Sequence, residues 1–296
     1  MRMRNLVPLG AMLAAAALPV AVASAAEAPA PKGHLVLIGG GDKPKAAMLK
    51  FIELAGGRDA RIVAIPTASE EADAAAYYEK LFKEEYGCTR AVSLDVKTKA
   101  DAMRPDFAQQ AADAGGIFFG GGDQSRITRA LLDTPVGAAI AMAFARGAVI
   151  GGTSAGTACQ SDPMITGEGD FKVLTANNVE LARGLGFFRG VIVDQHFIAR
   201  QRSNRLFSVI LEHPDLLGVG VDEATAVWVR PDQTFTVLGQ GWVMVMDASG
   251  AKVERLPEEK GKGHLGAHGV RVDILLPGDV YDVKSRRVVS APEKAK

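Results

Sequence analysis

Residues 148–156 read Ala148-Val149-Ile150-Gly151-Gly152-Thr153-Ser154-Ala155-Gly156. A short apolar run closes on two glycines, and Gly152 to Gly156 then form G-x-S-x-G between a strand and a helix-compatible segment. Glycine lets the chain turn sharply enough to lift a serine Oγ over the end of a strand. The helix that follows directs free N–H groups and a positive dipole at the same point. Ser154 is therefore a candidate nucleophile, with the Ala155 N–H as a donor to an oxyanion. The bland alternative is a Gly-rich turn, or a phosphate cradle, in which Ser154 only caps.

Outward from this stretch the same punctuation recurs. Leu35 to Ile38 ends in Gly39-Gly40-Gly41, and Ile117 to Phe119 in Gly120-Gly121-Gly122. Val191 to Val193 ends in Asp194-Gln195-His196, and Val219 to Val221 in Asp222-Glu223. Arg61 to Ile65 and Ala91 to Val96 are two more strands. Between the strands, residues 44–55 show helical spacing, and Thr67 with Glu70 forms a capping box for a helix running towards Tyr86. Residues 98–112 read as a helix interrupted by Pro105, and Ser125 to Arg146 and Arg200 to Glu212 as two further helices. Strands alternating with helices predict an α/β fold. Its form is a doubly wound, mostly parallel sheet with helices on both faces. In such sheets the ligand sits beyond the carboxyl ends of the strands, where the serine, the histidine and the glutamate all fall.

From about Ala224 the chain becomes β-rich. Thr225 to Arg230, Thr234 to Leu238, Trp242 to Met246 and Val253 to Leu256 read as a meander. A charged Gly-rich loop, Glu258 to His268, leads to one more strand at Val270 to Leu276. The expected division is an α/β catalytic domain at 34–235 and a β-rich C-terminal extension at 236–296 packed on the same domain.

Composition bounds the function. The 296 residues are 48% apolar and 23% charged, a globular balance that excludes disorder, collagen and coiled coil. The 34 basic and 34 acidic side chains cancel, so no overall field attracts nucleic acid or an anionic membrane. Cys88 and Cys159 are too few for a disulfide framework. Arg2 and Arg4 precede an apolar run, Leu6 to Ala23, that ends in Ala23-Ser24-Ala25. This predicts a signal peptide at 1–26 with cleavage near Ala25 or Ala26, then an extended leader at 27–33. The expectation is a periplasmic or secreted protein without a stable membrane anchor.

A serine nucleophile needs a base. His196 follows a strand at the same sheet edge as Ser154, whereas His34 precedes a strand and so lies at the opposite edge. His213 ends a helix before Pro214. His264 and His268 sit in a Gly-rich loop without a third ligand, so no metal is expected. His196 is the base by elimination, against the alternative of a satisfied core histidine. For the acid that orients it, Glu223 has Asp194 and Asp222 as rivals. The order serine, histidine, acid departs from that of the α/β-hydrolases. Gly122 offers a second oxyanion donor and Gln124 a contact to substrate, unless Gly120 to Gly122 is only a tight turn. Gly39-Gly40-Gly41 begins like a dinucleotide fingerprint, but Pro44 stands where its last glycine belongs, so no nucleotide cofactor is expected. Arg200, Arg202 and Arg205 crowd the start of a helix just after His196. There they form either a carboxylate-binding cluster or a solvated basic face.

The stretch Asp194-Gln195-His196-Phe197, with Arg200, Arg202 and Arg205, resembles the signature of the cyanophycinases. These sit in the serine peptidase family that also holds the bacterial aspartyl dipeptidases. The resemblance extends through Gly120 to Gln124, Gly151 to Gly156 and Gly220 to Ala226, over roughly residues 34–230. It implies Ser154 as nucleophile, His196 as base and Glu223 as orienting acid, 42 and 27 residues apart. It also implies that Gln124, Asp194, Gln195, Arg200, Arg202 and Arg205 line the substrate pocket, with no cofactor. The implied substrate is cyanophycin, a poly-aspartate bearing arginine on each side-chain carboxyl, cut in its main chain to β-Asp-Arg dipeptides. Family members are often homodimers, although this sequence shows no interface. Two features depart from the family: Asn204 replaces an expected glycine, and the β-rich tail is longer than in the compact cytoplasmic members. The export signal resembles an extracellular branch. Two other readings are a serine exopeptidase for isoaspartyl or other acidic peptides, and a periplasmic peptide-binding protein with a dead triad.

Overall fold

Strand and helix alternate as expected through the first half of the chain. In order come β1 (Leu35–Ile38), α1 (Lys45–Ala55), β2 (Arg61–Ile65), α2 (Ala74–Lys80), β3 (Arg90–Ser93), α3 (Pro105–Ala112), β4 (Gly116–Phe119), α4 (Gln124–Leu131), α5 (Pro135–Arg146) and β5 (Val149–Thr153). A single turn, α6 (Ala155–Ala158), follows, then β6 (Met164–Ile165), β7 (Leu181–Ala182), β8 (Val191–Gln195), α7 (Ser203–Glu212) and β9 (Leu217–Val221). The rest is β-rich: β10 (Thr225–Val229), β11 (Thr234–Gly239), β12 (Val243–Asp247), β13 (Lys252–Arg255), β14 (Leu265–His268), β15 (Arg271–Leu275), β16 (Val280–Asp282) and β17 (Arg287–Ser290). The computed structural model describes residues 31–170, 172–257 and 263–290. The expected signal peptide, most of the leader and residues 258–262 of the charged loop lie outside them.

Five parallel strands in the order β1-β5-β4-β2-β3 form the centre of the main sheet. Every residue of β1, β4 and β5 is buried, as strands covered on both faces require. On one face α1 presents Met48, Phe51 and Ile52, and Phe51 meets Phe82 and Phe118 in a cluster of tilted and edge-on rings. The other face is covered by α5 and, further along, by a second sheet. Beyond β1 the main sheet continues antiparallel through β10, β11, β16 and β17.

The second sheet has the order β15-β12-β9-β8. It carries the strands that precede His196 and Glu223, paired in parallel. These strands therefore do not extend the sheet that holds Ser154. Val219, Val221, Val243 and Val245 from this sheet pack with Val227, Phe235 and Val237 of the main one. The C-terminal β-rich region is present, but it is not a meander. After the β10–β11 hairpin, β12 crosses to pair with β9, and β13 pairs with β14. Part of the loop expected at 258–268 is thus strand.

Three local expectations are corrected. Thr67 does not cap a helix. Its hydroxyl donates to the Val96 carbonyl (2.6 Å), while Glu70 pairs with Arg126 (2.5 Å), and α2 begins only at Ala74. The long helix from Ser125 to Arg146 is two helices, α4 and α5, bent by 100°. Pro135 disfavours helical backbone at the residue before it, and Thr134 starts α5 afresh by accepting the Gly137 N–H (3.1 Å). The stretch expected as one helix broken at Pro105 is a short 3-10 turn, Asp101–Met103, then extended backbone at Arg104, and Pro105 is the first residue of α3, where its missing N–H has no consequence. Cys88 and Cys159 are both buried and free.

Candidate active site

The end of β1 organises the site. Three amides from three different loops dock on consecutive carbonyls: Ser154 N–H on Ile38 (3.0 Å), His196 N–H on Gly39 (2.7 Å) and Ala224 N–H on Gly40 (3.1 Å). The loops after β5, β8 and β9 are thereby tied to one another through backbone alone. Bare backbone is also needed above them. Gly40 has φ +126°, and a Cβ there would lie 2.2 Å from His196 Cε1, inside the imidazole. The glycine run that begins like a nucleotide motif is the surface on which the His196 ring rests.

His196 Nε2 lies 2.9 Å from Ser154 Oγ, and His196 Nδ1 hydrogen-bonds Glu223 Oε1. A proton on Nδ1, donated to the carboxylate, leaves the Nε2 lone pair facing the serine hydroxyl. Both rival acids are committed elsewhere. Asp222 accepts the Ile198 and Ala199 N–H groups (3.0 Å each) and so fixes the turn after His196. Asp194 pairs with Arg205. Ser154, His196 and Ala224 have φ of 53°, 49° and 50°, three non-glycine residues in the left-handed region around one site. Burial lowers the His196 pKa from its ordinary value; the bond to Glu223 works against this, and nearby Arg200 and Arg202 add to the lowering. The imidazole is thus a neutral base at neutral pH.

A cleft of about 440 Å³ opens beside Ser154. Gly122, Gln124, Gln195, Arg200, Arg202 and Arg205 line it, so most of the residues singled out in the sequence do converge. Their parts differ. Gln124 spends its amide on the carbonyls of Ile165 (2.7 Å) and Thr166 (2.8 Å), holding the loop after β6 against the cleft. Arg202 donates to the Gln195 carbonyl (2.7 Å), and burial, then neighbouring Arg205, holds its pKa down to about 10. Asp194 and Arg205 are each only 1% exposed and joined by two hydrogen bonds, so they brace the cleft from behind. Arg200 is exposed at the mouth. Ala155 follows Ser154 in the chain and Gly122 lines the same cleft, and among the described residues neither amide donates to another protein group. Asn204 lies in the first turn of α7 without breaking it.

Residues 35–237 match the sequence pattern of peptidase family S51. The chain belongs to that family. It is a serine-type peptidase. Over 262 residues it is 36% identical to a cyanophycinase of Synechococcus elongatus, covering 87% of this chain and 81% of the relative. Over 261 residues it is 35% identical to a cyanophycinase of Geminocystis herdmanii, covering 86% and 96%. Among solved structures, a peptidase from an acI-B1 Actinobacterium shares the fold with a TM-score of 0.60 at 23% identity, covering 83% of this chain and 98% of that one.

Two sets of side chains around Ser154 escape sequence reasoning. Glu168 and Glu180, from the segment between β6 and β7, line the arginine cleft, and among the described residues no ion pair joins either to its arginines. A second cleft of about 390 Å³, sharing only Ser154 with the first, is lined by Gly41, Lys43, Glu71, Asp73, Tyr77 and Tyr78, among others. None of these residues stands at a spacing that relates it to Ser154 or His196. The chain brings them there through long-range pairing.

Proposed function

We propose that this S51 peptidase hydrolyses cyanophycin to β-Asp-Arg dipeptides, with Ser154, His196 and Glu223 as its triad. The observation that carries the reading is the continuous contact from Glu223 through His196 to Ser154 at the edge of a cleft lined by both arginines and carboxylates. The relatives named cyanophycinase support the substrate. Ser154 Oγ attacks the aspartyl carbonyl carbon while its proton passes to His196 Nε2. The oxyanion takes the Ala155 and Gly122 N–H groups. The C–N bond then breaks as His196 returns the proton to the departing amine. Water, deprotonated by His196, attacks the acyl-serine ester, whose C–O bond breaks as His196 returns that proton to Ser154 Oγ, and Glu223 keeps the imidazole oriented throughout. Arg200 and Arg202 suit the carboxylate of a substrate unit by bidentate bonding, and Glu168 and Glu180 suit its guanidinium. No step calls on a metal or cofactor. The charged start, apolar run and small-residue site at Ala23 to Ala25 support action outside the cytoplasm, which N-terminal sequencing of the protein recovered outside the cell would test.

The decisive experiment incubates the mature protein, beside Ser154→Ala, with purified cyanophycin and identifies products by mass spectrometry. Release of β-Asp-Arg by the wild type alone is the expected result. Intact cyanophycin with cleaved isoaspartyl peptides would move the substrate to that class, and cleavage of neither would overturn the reading.

A further inference from the structure

Resting on the proposed function, we infer that the second cleft is a subsite for the neighbouring unit of the substrate chain. The substrate then lies across Ser154 with one zwitterionic unit on each side of the bond that breaks. The scissile carbonyl must sit over Ser154 Oγ, so a chain whose unit fills the arginine cleft has to continue past this serine. The second cleft begins there and shares no other residue with the first.

Its chemistry is of the same mixed kind as that of the arginine cleft. Both hold cations beside carboxylates, four arginines with Asp123, Glu168 and Glu180 in the first and Lys43 with Glu71 and Asp73 in this one. A polymer whose every unit carries one carboxylate and one guanidinium presents this pairing at every repeat. Among the described residues neither Glu71 nor Asp73 is joined in an ion pair. Tyr77 is 48% exposed at the cleft, a flat face of the kind on which a guanidinium stacks. Lys43 donates to the Tyr77 hydroxyl (3.0 Å) and so sets the position of that ring. Tyr78 is buried behind it and accepts the Gly121 N–H (3.3 Å), which couples this wall to the loop next to Ser154.

The wall exists because the helix after β2 starts late. Thr67 bonding to Val96 and Glu70 pairing with Arg126 keep the chain irregular up to Asp73. Glu71 and Asp73 thus come to line the cleft from non-helical backbone.

The test compares kcat/KM on a synthetic chain of four β-Asp-Arg units with that on a single β-Asp-Arg unit carrying methylamine, an alkyl amine like the chain's own leaving group, at the scissile bond. The wild type should favour the four-unit chain by at least about tenfold, equivalent to ~1.4 kcal/mol. In Glu71→Gln/Asp73→Asn/Tyr77→Ala that ratio should collapse towards unity, and in Glu71→Lys alone it should fall part of the way. An unchanged ratio in both variants overturns the subsite while leaving the proposed function standing. Failure of the wild type to cut either substrate overturns the function and the subsite with it. As a readout independent of turnover, Tyr77→Trp in the Ser154→Ala background should change its fluorescence on adding the four-unit chain; no change would count against the subsite.

Discussion

Replacing Gly40 by alanine tests whether β1 sets the geometry of the proposed triad. The added methyl would lie 2.2 Å from His196 Cε1, with Nε2 and Nδ1 at 2.4 Å and 2.7 Å. Carbon atoms at rest sit about 3.5–4.0 Å apart, so the ring has to retreat by roughly 1.3 Å. The Nε2–Oγ separation of 2.9 Å then lengthens past hydrogen-bonding range. A misplacement of about 1 Å costs on the order of 10²-fold in rate, which sets the expected minimum loss in kcat/KM. Alanine at φ +126° also strains the backbone by about 1–3 kcal/mol, and this must be separated from the collision. Gly57 supplies the control, with φ +91° and nothing within 4 Å of its Cβ position. Both variants should lose comparable stability in urea unfolding. Only Gly40→Ala should lose activity on cyanophycin and labelling of Ser154 by a serine-reactive phosphonate. If Gly40→Ala stayed within about threefold of Gly57→Ala, the backbone account of the triad would be refuted.

Further expectations follow from the same contacts. Because burial lowers the His196 pKa, the acid limb of kcat/KM should lie below pH 6.5, with activity falling as pH drops through the lowered value. The same residue contributes stability at pH values above its unfolded pKa, and that contribution is lost as pH falls towards the folded one. Arg200→Met removes a cation that helps the lowering and should move the acid limb upward; a downward shift in the pH–rate profile would contradict this. Asp194→Asn or Arg205→Met breaks a fully buried pair and should cost about 3–5 kcal/mol in urea unfolding, with the double variant Asp194→Leu/Arg205→Met recovering part of it. Wild-type stability in either single variant would show that the pair is not a brace. Thr67→Val leaves the Val96 carbonyl without its donor and should destabilise by roughly 1–3 kcal/mol, measured the same way.

What sequence could and could not disclose divides along local and long-range physics. Glycine after a short apolar run is a local signal, and it marks the ends of β1 and β4 to the residue; at β5 both Gly151 and Gly152 lie inside the strand, which runs on to Thr153. Pairing is not local. Val191 to Val193 and Val219 to Val221 have the same character whether they extend the sheet of Ser154 or found another, and they do the latter. Thr67 and Glu70 satisfy the spacing of a capping box, yet partners 29 and 56 residues away hold them instead. Asp194 and Arg205 have the side chains of ligand-binding residues; only the packing shows that they bind one another. Glu168, Glu180, Glu71 and Asp73 occupy loops whose paths depend on such contacts, so no periodicity could point to them.

Ser154, His196 and Glu223 all lie beyond the carboxyl ends of strands, although those strands belong to two sheets. Registers explain why the three still meet. In the main sheet Ile38 is level with Thr153, which sets Gly39 beside Ser154. In the second sheet Gln195 is level with Val221, which sets His196 beside Asp222. The bonds from His196 and Ala224 to the carbonyls of Gly39 and Gly40 join these two rows end to end. Strand ends from both sheets therefore form one edge, and because each strand ends there whichever sheet it joins, the residues that follow the strands meet without the sheet assignment being legible in the sequence.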